Sequence, residues 1–163
     1  MIGMMLALVM ACQEEPTMYD LVKGGEVASL STNFKGTPFG SLAPYAIDEK
    51  GLPFVFLSDI AQHSENLKKN KKASLMIHKI DKDDLFSSPR IIFVGKLVKV
   101  PDKERAAYAK IYLKRNPQAE QIIDFGDFNF YRLVELRTIH YYGGFADSNW
   151  IEPADYFKGY KKK

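Results

Sequence analysis

The chain has 163 residues, 46% hydrophobic, 26% charged and 13% aromatic, with a net charge of +3. That is enough apolar material for one domain with a real core, and it excludes a disordered chain. The basic surplus lies in two runs, Lys68 to Lys72 and Lys161 to Lys163, with no interleaved aromatics, which argues against nucleic-acid binding; a single cysteine, Cys12, excludes an internal disulfide and a cysteine-based metal site.

Met1 to Ala11 is an uninterrupted apolar run, too short to span a bilayer as a helix but of a length that suits a secretory signal. Val9-Met10-Ala11-Cys12 resembles a bacterial lipobox. No Lys or Arg precedes the run and Met10 is unusual at its position, so the alternatives are an exported, periplasmic lipoprotein tethered through lipidated Cys12, or a cytoplasmic chain with a mis-assigned start codon or an apolar N-terminal helix. The expected division is a leader at 1–15, a domain at 16–157 and a basic tail at 158–163.

Pro16 to Lys23 predicts a short helix stopped by Gly24-Gly25. Glu26 to Asn33 and Phe39 to Ile47 predict strands joined by the turn Lys35-Gly36-Thr37-Pro38, and Asp48 to Gly51 a hairpin loop. Phe54 to Leu57 is a third strand, Ile60 to Lys69 a helix with Ile60, Ala61 and Leu67 as its apolar positions, and Ala73 to Ile80 a fourth strand. A polar loop, Asp81 to Pro89, leads to a long strand from Arg90 to Val100. Asp102 to Asn116 is the clearest helix, with Asp102 as its cap. Ala119 to Phe125 predicts a further short helix, and Asn129 to Leu136 and Thr138 to Gly143 two strands before an aromatic tail. This order predicts a mainly β fold: a six- or seven-stranded antiparallel barrel with helices packed on its outside.

No Walker loop, paired CxxC or HExxH occurs. Asp59, His63 and Ser64 lie too close along the chain to form a nucleophile–base–orienter line. His63, His78 and His140 lie on different elements, and no metal site is expected. The strand–turn–helix around Ser58-Asp59 does suit an anion, since such junctions aim N–H groups and hydroxyls at one spot. Ser58 also suits a helix cap, Asp127 a turn cap, and Arg90 an ion pair with Asp83 or Asp84.

Ser58, His63, Asn66-Leu67 and Ala73-Ser74-Leu75, with Val27 to Thr32, Arg90-Ile91, Val94-Gly95, Gly126-Asp127-Phe128, Tyr131-Arg132-Leu133, Gly143-Gly144-Phe145 and Ile151 to Tyr156, resemble the pyridoxamine-5'-phosphate-oxidase-like split barrels. The resemblance is to the branch with the HugZ/HutZ haem-degrading proteins and the CREG glycoproteins, and it covers Pro16 to Phe157. It implies an FMN-binding type of split barrel, a homodimer with ligand crevices between subunits, FMN or haem as cofactor, and oxidoreductase chemistry. For FMN it implies the hydroxyl of Ser58 with Gln62, His63 and Asn66; the matching second-strand positions, Pro38 and Ala43, are not basic. For haem it implies Arg90 at a propionate and Asp127 near the axial ligand. No histidine follows His140 to supply that ligand, leaving Tyr156 or Tyr160 as alternatives. The CREG likeness implies instead a non-catalytic, exported protein acting through protein partners.

Overall fold

The computed structural model describes residues 17–144 and 146–161; the leader with Cys12, Phe145 and Lys162-Lys163 lie outside the described residues. A helix, α1 (Met18–Gly24), opens the domain. A reciprocal cap starts it: the Asp20 N–H donates to Thr17 Oγ1, and the Thr17 N–H donates to Asp20 Oδ2 at 3.0 Å.

Seven strands follow: β1 (Val27–Phe34), β2 (Thr37–Ile47), β3 (Pro53–Ser58), β4 (Lys72–His78), β5 (Arg90–Lys99), β6 (Phe128–Gly144) and β7 (Asp147–Ile151). They pair antiparallel in the order β3-β2-β1-β4-β5-β6-β7. A further pairing of β3 with β6, from Phe54↔Arg132 to Ser58↔Phe128, closes the first six strands into a barrel. β7 remains outside the barrel on β6. Three more helices, α2 (Gln62–Lys69), α3 (Asp102–Arg115) and α4 (Pro153–Tyr160), lie between or after these strands.

Strand alternation builds the interior. On β4 and β5 every second residue is buried, and Leu75, Ile77, Ile91, Phe93 and Leu97 line the barrel with Leu30 and Ile139. β3 has no such alternation, because both its faces are covered. Val55 and Leu57 point inward, while Phe54 and Phe56 join Phe130, Tyr112 and Ile123 in a second core against α3. α4 contributes Tyr156, which is fully buried against Phe93 and donates its hydroxyl to Gly51 O at 2.8 Å.

The sequence-based elements differ from the structure in four places. The two strands expected from Asn129 to Gly143 are one strand, β6, bent at Glu135, whose φ of 46° lies in the left-handed region. The β5–β6 register shifts there, between Val94 and Lys96, and Gly95 lets the bulged backbone approach: a Cβ on it would stand 3.0 Å from Val134 O. The aromatic tail contains β7 and α4. The helix expected at Ala119 to Phe125 is a 3₁₀ turn, Pro117–Gln121. Finally, α3 has Pro101 at its cap position with no side-chain bond, and Asp102 is its first helical residue.

Candidate functional site

The turn between β3 and α2 is held by its own polar groups. Ser58 Oγ donates to Asp127 Oδ2 at 2.7 Å, and the Asp59 N–H to Asp127 O at 2.6 Å. The Asp59 carboxylate accepts from Asn129 Nδ2 at 2.7 Å and from the Tyr131 hydroxyl at 3.1 Å. Burial, then the adjacent Asp59 carboxylate, push the Tyr131 phenol up to about 12, so it stays a donor. Gln62 Nε2 donates to Asn66 Oδ1 at 2.9 Å, and the buried Asn66 passes its own amide to Thr32 Oγ1 at 3.0 Å. Ser58 therefore does not cap α2, whose cap residue, Ala61, makes no side-chain bond. Ile60 also departs from expectation: it is 85% exposed, and Leu67 alone of the three apolar positions is buried.

Two carboxylates, Asp59 and Asp127, thus face the groups expected to receive an FMN phosphate. Like charge at this distance opposes a phosphate, and Ser58 and Asn66 already spend their hydrogen bonds on the protein. Asp127 closes the turn.

Arg90 stands elsewhere. It opens β5, whose other end, Lys99, pairs with Tyr131 near the Ser58 turn; nine residue steps along a strand are roughly 30 Å. Within the chain the structure brings Ser58, Gln62, His63, Asn66 and Asp127 into one neighbourhood and leaves Arg90 apart. Arg90 makes no ion pair with Asp83 or Asp84. Asp84 instead caps the Leu85–Ser87 turn, accepting from Phe86 N and from Ser87 N and Oγ. The guanidinium lies 4.0 Å over the Tyr142 ring and donates only a 3.4 Å bond to Ser88 O. Tyr142 is fixed in turn by donating its hydroxyl to Phe86 O at 2.7 Å.

Register shows what surrounds Arg90 on the outer sheet face. His78, Arg90, Tyr142 and Ser148 form one cross-strand row, and Met76, Ile92, His140 and Trp150 the next. Directly paired residues share a face, and the rows lie two residues, about 7 Å, apart. His140 and Trp150 are in ring contact at 4.6 Å, and Trp150 is 72% exposed. Phe86, 87% exposed, stands in the loop tied to Tyr142. His78 Nδ1 is shut from solvent with no hydrogen-bond partner among the described residues. The result is a sheet face on which Arg90, with no carboxylate partner among the described residues, stands with two imidazoles beside Met76, Ile92 and Trp150.

The family model for the CREG beta-barrel matches residues 17–158. This chain belongs to the CREG beta-barrel family. It is 35% identical to the chloroplastic non-canonical heme oxygenase HOZ of Arabidopsis thaliana over 122 residues, covering 75% of this chain and 37% of that protein. It is 26% identical to protein CREG1 of Gallus gallus, covering 82% of this chain and 78% of CREG1. The solved structure of a heme binding protein from Mycobacterium smegmatis superposes with a TM-score of 0.79 at 25% identity, over 86% of this chain and 58% of that one. The chain thus spans little more than a third of the Arabidopsis protein and under two thirds of the mycobacterial one.

Within this CREG-type barrel, sequence reasoning named Arg90 but missed its neighbours. The available signal was alternation: His140 and Tyr142 are two apart on β6, as are Ser148 and Trp150 on β7. Tyr156, one of the expected alternatives for iron, is excluded as a surface ligand: its hydroxyl is buried and bonded to Gly51 O, and burial raises its pKa strongly.

His63 carries a separate consequence. Its Nε2 is shut from solvent and has no partner among the described residues, and burial lowers its pKa. The unfolded chain then binds this proton more readily than the folded one, so stability falls as pH drops through about 6.5, the ordinary histidine value. Urea midpoints measured between pH 5 and 8 are expected to decline on the acid side, and His63→Gln to flatten that part of the decline.

Proposed function

We propose that this protein binds haem on the sheet face around Arg90. The observation that carries the reading is a guanidinium with no carboxylate partner among the described residues, braced on Tyr142 beside an apolar row. A propionate is the anion such a group receives, and Met76, Ile92 and Trp150 suit the faces of a planar tetrapyrrole. His78, opposite Arg90 on β4, puts an imidazole beside that guanidinium. The HOZ and mycobacterial relatives, named for haem, support the same ligand. FMN is the weaker choice, because carboxylates crowd the Ser58 turn.

Haem supplies redox chemistry when bound. The protein's part is to hold the propionate at Arg90 and exclude water with Phe86 and Trp150. An exposed Leu42 continues the Met76–Ile92–Trp150 row through Ser29, so a second copy of the chain over this face would close the crevice as a homodimer. The second reading, a partner-binding CREG-like protein, draws on the exposed Leu85 and Phe86 of the β4–β5 loop.

Haemin titration followed by absorbance decides between them. The expected result is saturable binding at micromolar haemin, weakened about tenfold or more by Arg90→Ala, a loss of at least ~1.4 kcal/mol, with a dimeric mass by light scattering. No spectral change with haemin overturns the haem reading, and equal binding by Arg90→Ala removes Arg90 from it.

A further inference from the structure

We infer that His140 is the iron ligand of this haem site; the inference rests on the haem reading above and adds the residue that the resemblance left without a counterpart. His140 is on β6, outside the C-terminal segment where an axial histidine was sought, and its side chain faces the same surface as Arg90. Ile139, its neighbour on the strand, is fully buried in the barrel, which fixes the outward direction of His140.

The placement satisfies three demands at once. First, the distance is suitable. His140 pairs with Ile92, two residues along β5 from Arg90, so the offset between them is about 7 Å along the strands and about 5 Å across. That separation matches the reach from the centre of a tetrapyrrole to its propionate edge. Second, the imidazole is oriented. The Trp150 ring packs on it at 4.6 Å, and Ser148 Oγ lies 3.1 Å from Nε2. The Ser148 hydroxyl, which can donate to or accept from that nitrogen, holds the ring at Nε2 and leaves Nδ1 for a metal. Third, the surroundings are apolar: Met76 and Ile92 lie across the sheet in the same row. No carboxylate shares the row to compete for the imidazole proton.

His78 is the competing imidazole on this face. It pairs directly with Arg90 on β5 and so stands beside the guanidinium rather than a ring radius away. Its Nδ1 is also shut from solvent, which leaves His140 as the better placed of the two for an iron at the surface.

The test uses the full chain loaded with haemin and reads the iron directly by Soret position and electron paramagnetic resonance. The parent is expected to show a nitrogen-ligated ferric spectrum. His140→Ala is expected to lose that signature and bind haemin about tenfold or more weakly, and His140→Gly to regain it with added imidazole. If His140→Ala destabilises the edge of the sheet, His140→Gln, which keeps the side-chain volume, carries the same expectation. A parent that binds haemin with an unchanged spectrum in His140→Ala and His140→Gln overturns the inference while leaving the haem reading intact, as does loss of the signature in His78→Ala instead. A parent that takes up no haemin overturns both.

Discussion

Phe130→Ala is expected to destabilise the protein by about 3–5 kcal/mol. Phe130 is almost fully buried on β6, where four rings meet it: Phe56 at 4.5 Å, Tyr112 at 5.5 Å, Phe54 at 5.9 Å and Tyr108 at 6.3 Å. Its Cα partner across the barrel closure is Phe56. Truncation removes the transfer free energy of the ring and leaves a cavity between rigid neighbours that collapse only in part. Against a typical total of about 5–15 kcal/mol, the loss is a large fraction of stability. Urea denaturation should show a lowered midpoint with an unchanged slope, and Phe130→Leu should recover most of the difference.

Tyr156→Ala is expected to cost a comparable ~3–5 kcal/mol, and Tyr156→Phe only about 1 kcal/mol. The ring touches Tyr19, Phe93, Phe157 and Tyr160, while the hydroxyl makes one bond, to Gly51 O at 2.8 Å. The Tyr156 carbonyl also accepts from the Tyr19 hydroxyl at 3.1 Å, so this residue joins α1 and α4 to the barrel. The two variants separate packing from hydrogen bonding in one thermal-unfolding experiment. Equal losses for both would show that the hydroxyl, not the ring, carries the stabilisation.

The fold was largely legible because alternation is a local signal. β4 and β5 read directly as every-second-residue burial, and β3 as a run covered on both faces. β6 was divided in two because a bulge breaks the alternation: the left-handed Glu135 shifts the pattern, and Arg137 falls where an apolar residue was due. β7 was missed because Asp147 to Ile151 is exposed along most of its length and has no apolar alternation to detect. The candidate site was less legible, since its decisive contacts are not local. Ser58 was free to cap a helix on sequence grounds; its actual partner, Asp127, is 69 residues away. Arg90 was named as a candidate, but its neighbours follow from cross-strand register, and a register error of one residue would turn His140 inward.

Barrel closure also sets the order in which this protein can be made. β3 and β6 pair across about 70–80 residues of chain, among the most non-local contacts in the sheet. At ~5–20 residues per second, a ribosome needs roughly 4–15 s after finishing β3 to deliver β6. Throughout that interval the sequence PFVFLS has β2 on one side and no strand on the other. A short, uncharged, β-prone run held open in this way is the part of the nascent chain most exposed to chaperones and to self-association. Slow closure of this barrel is therefore expected to favour self-association of the nascent chain even when the finished fold is stable.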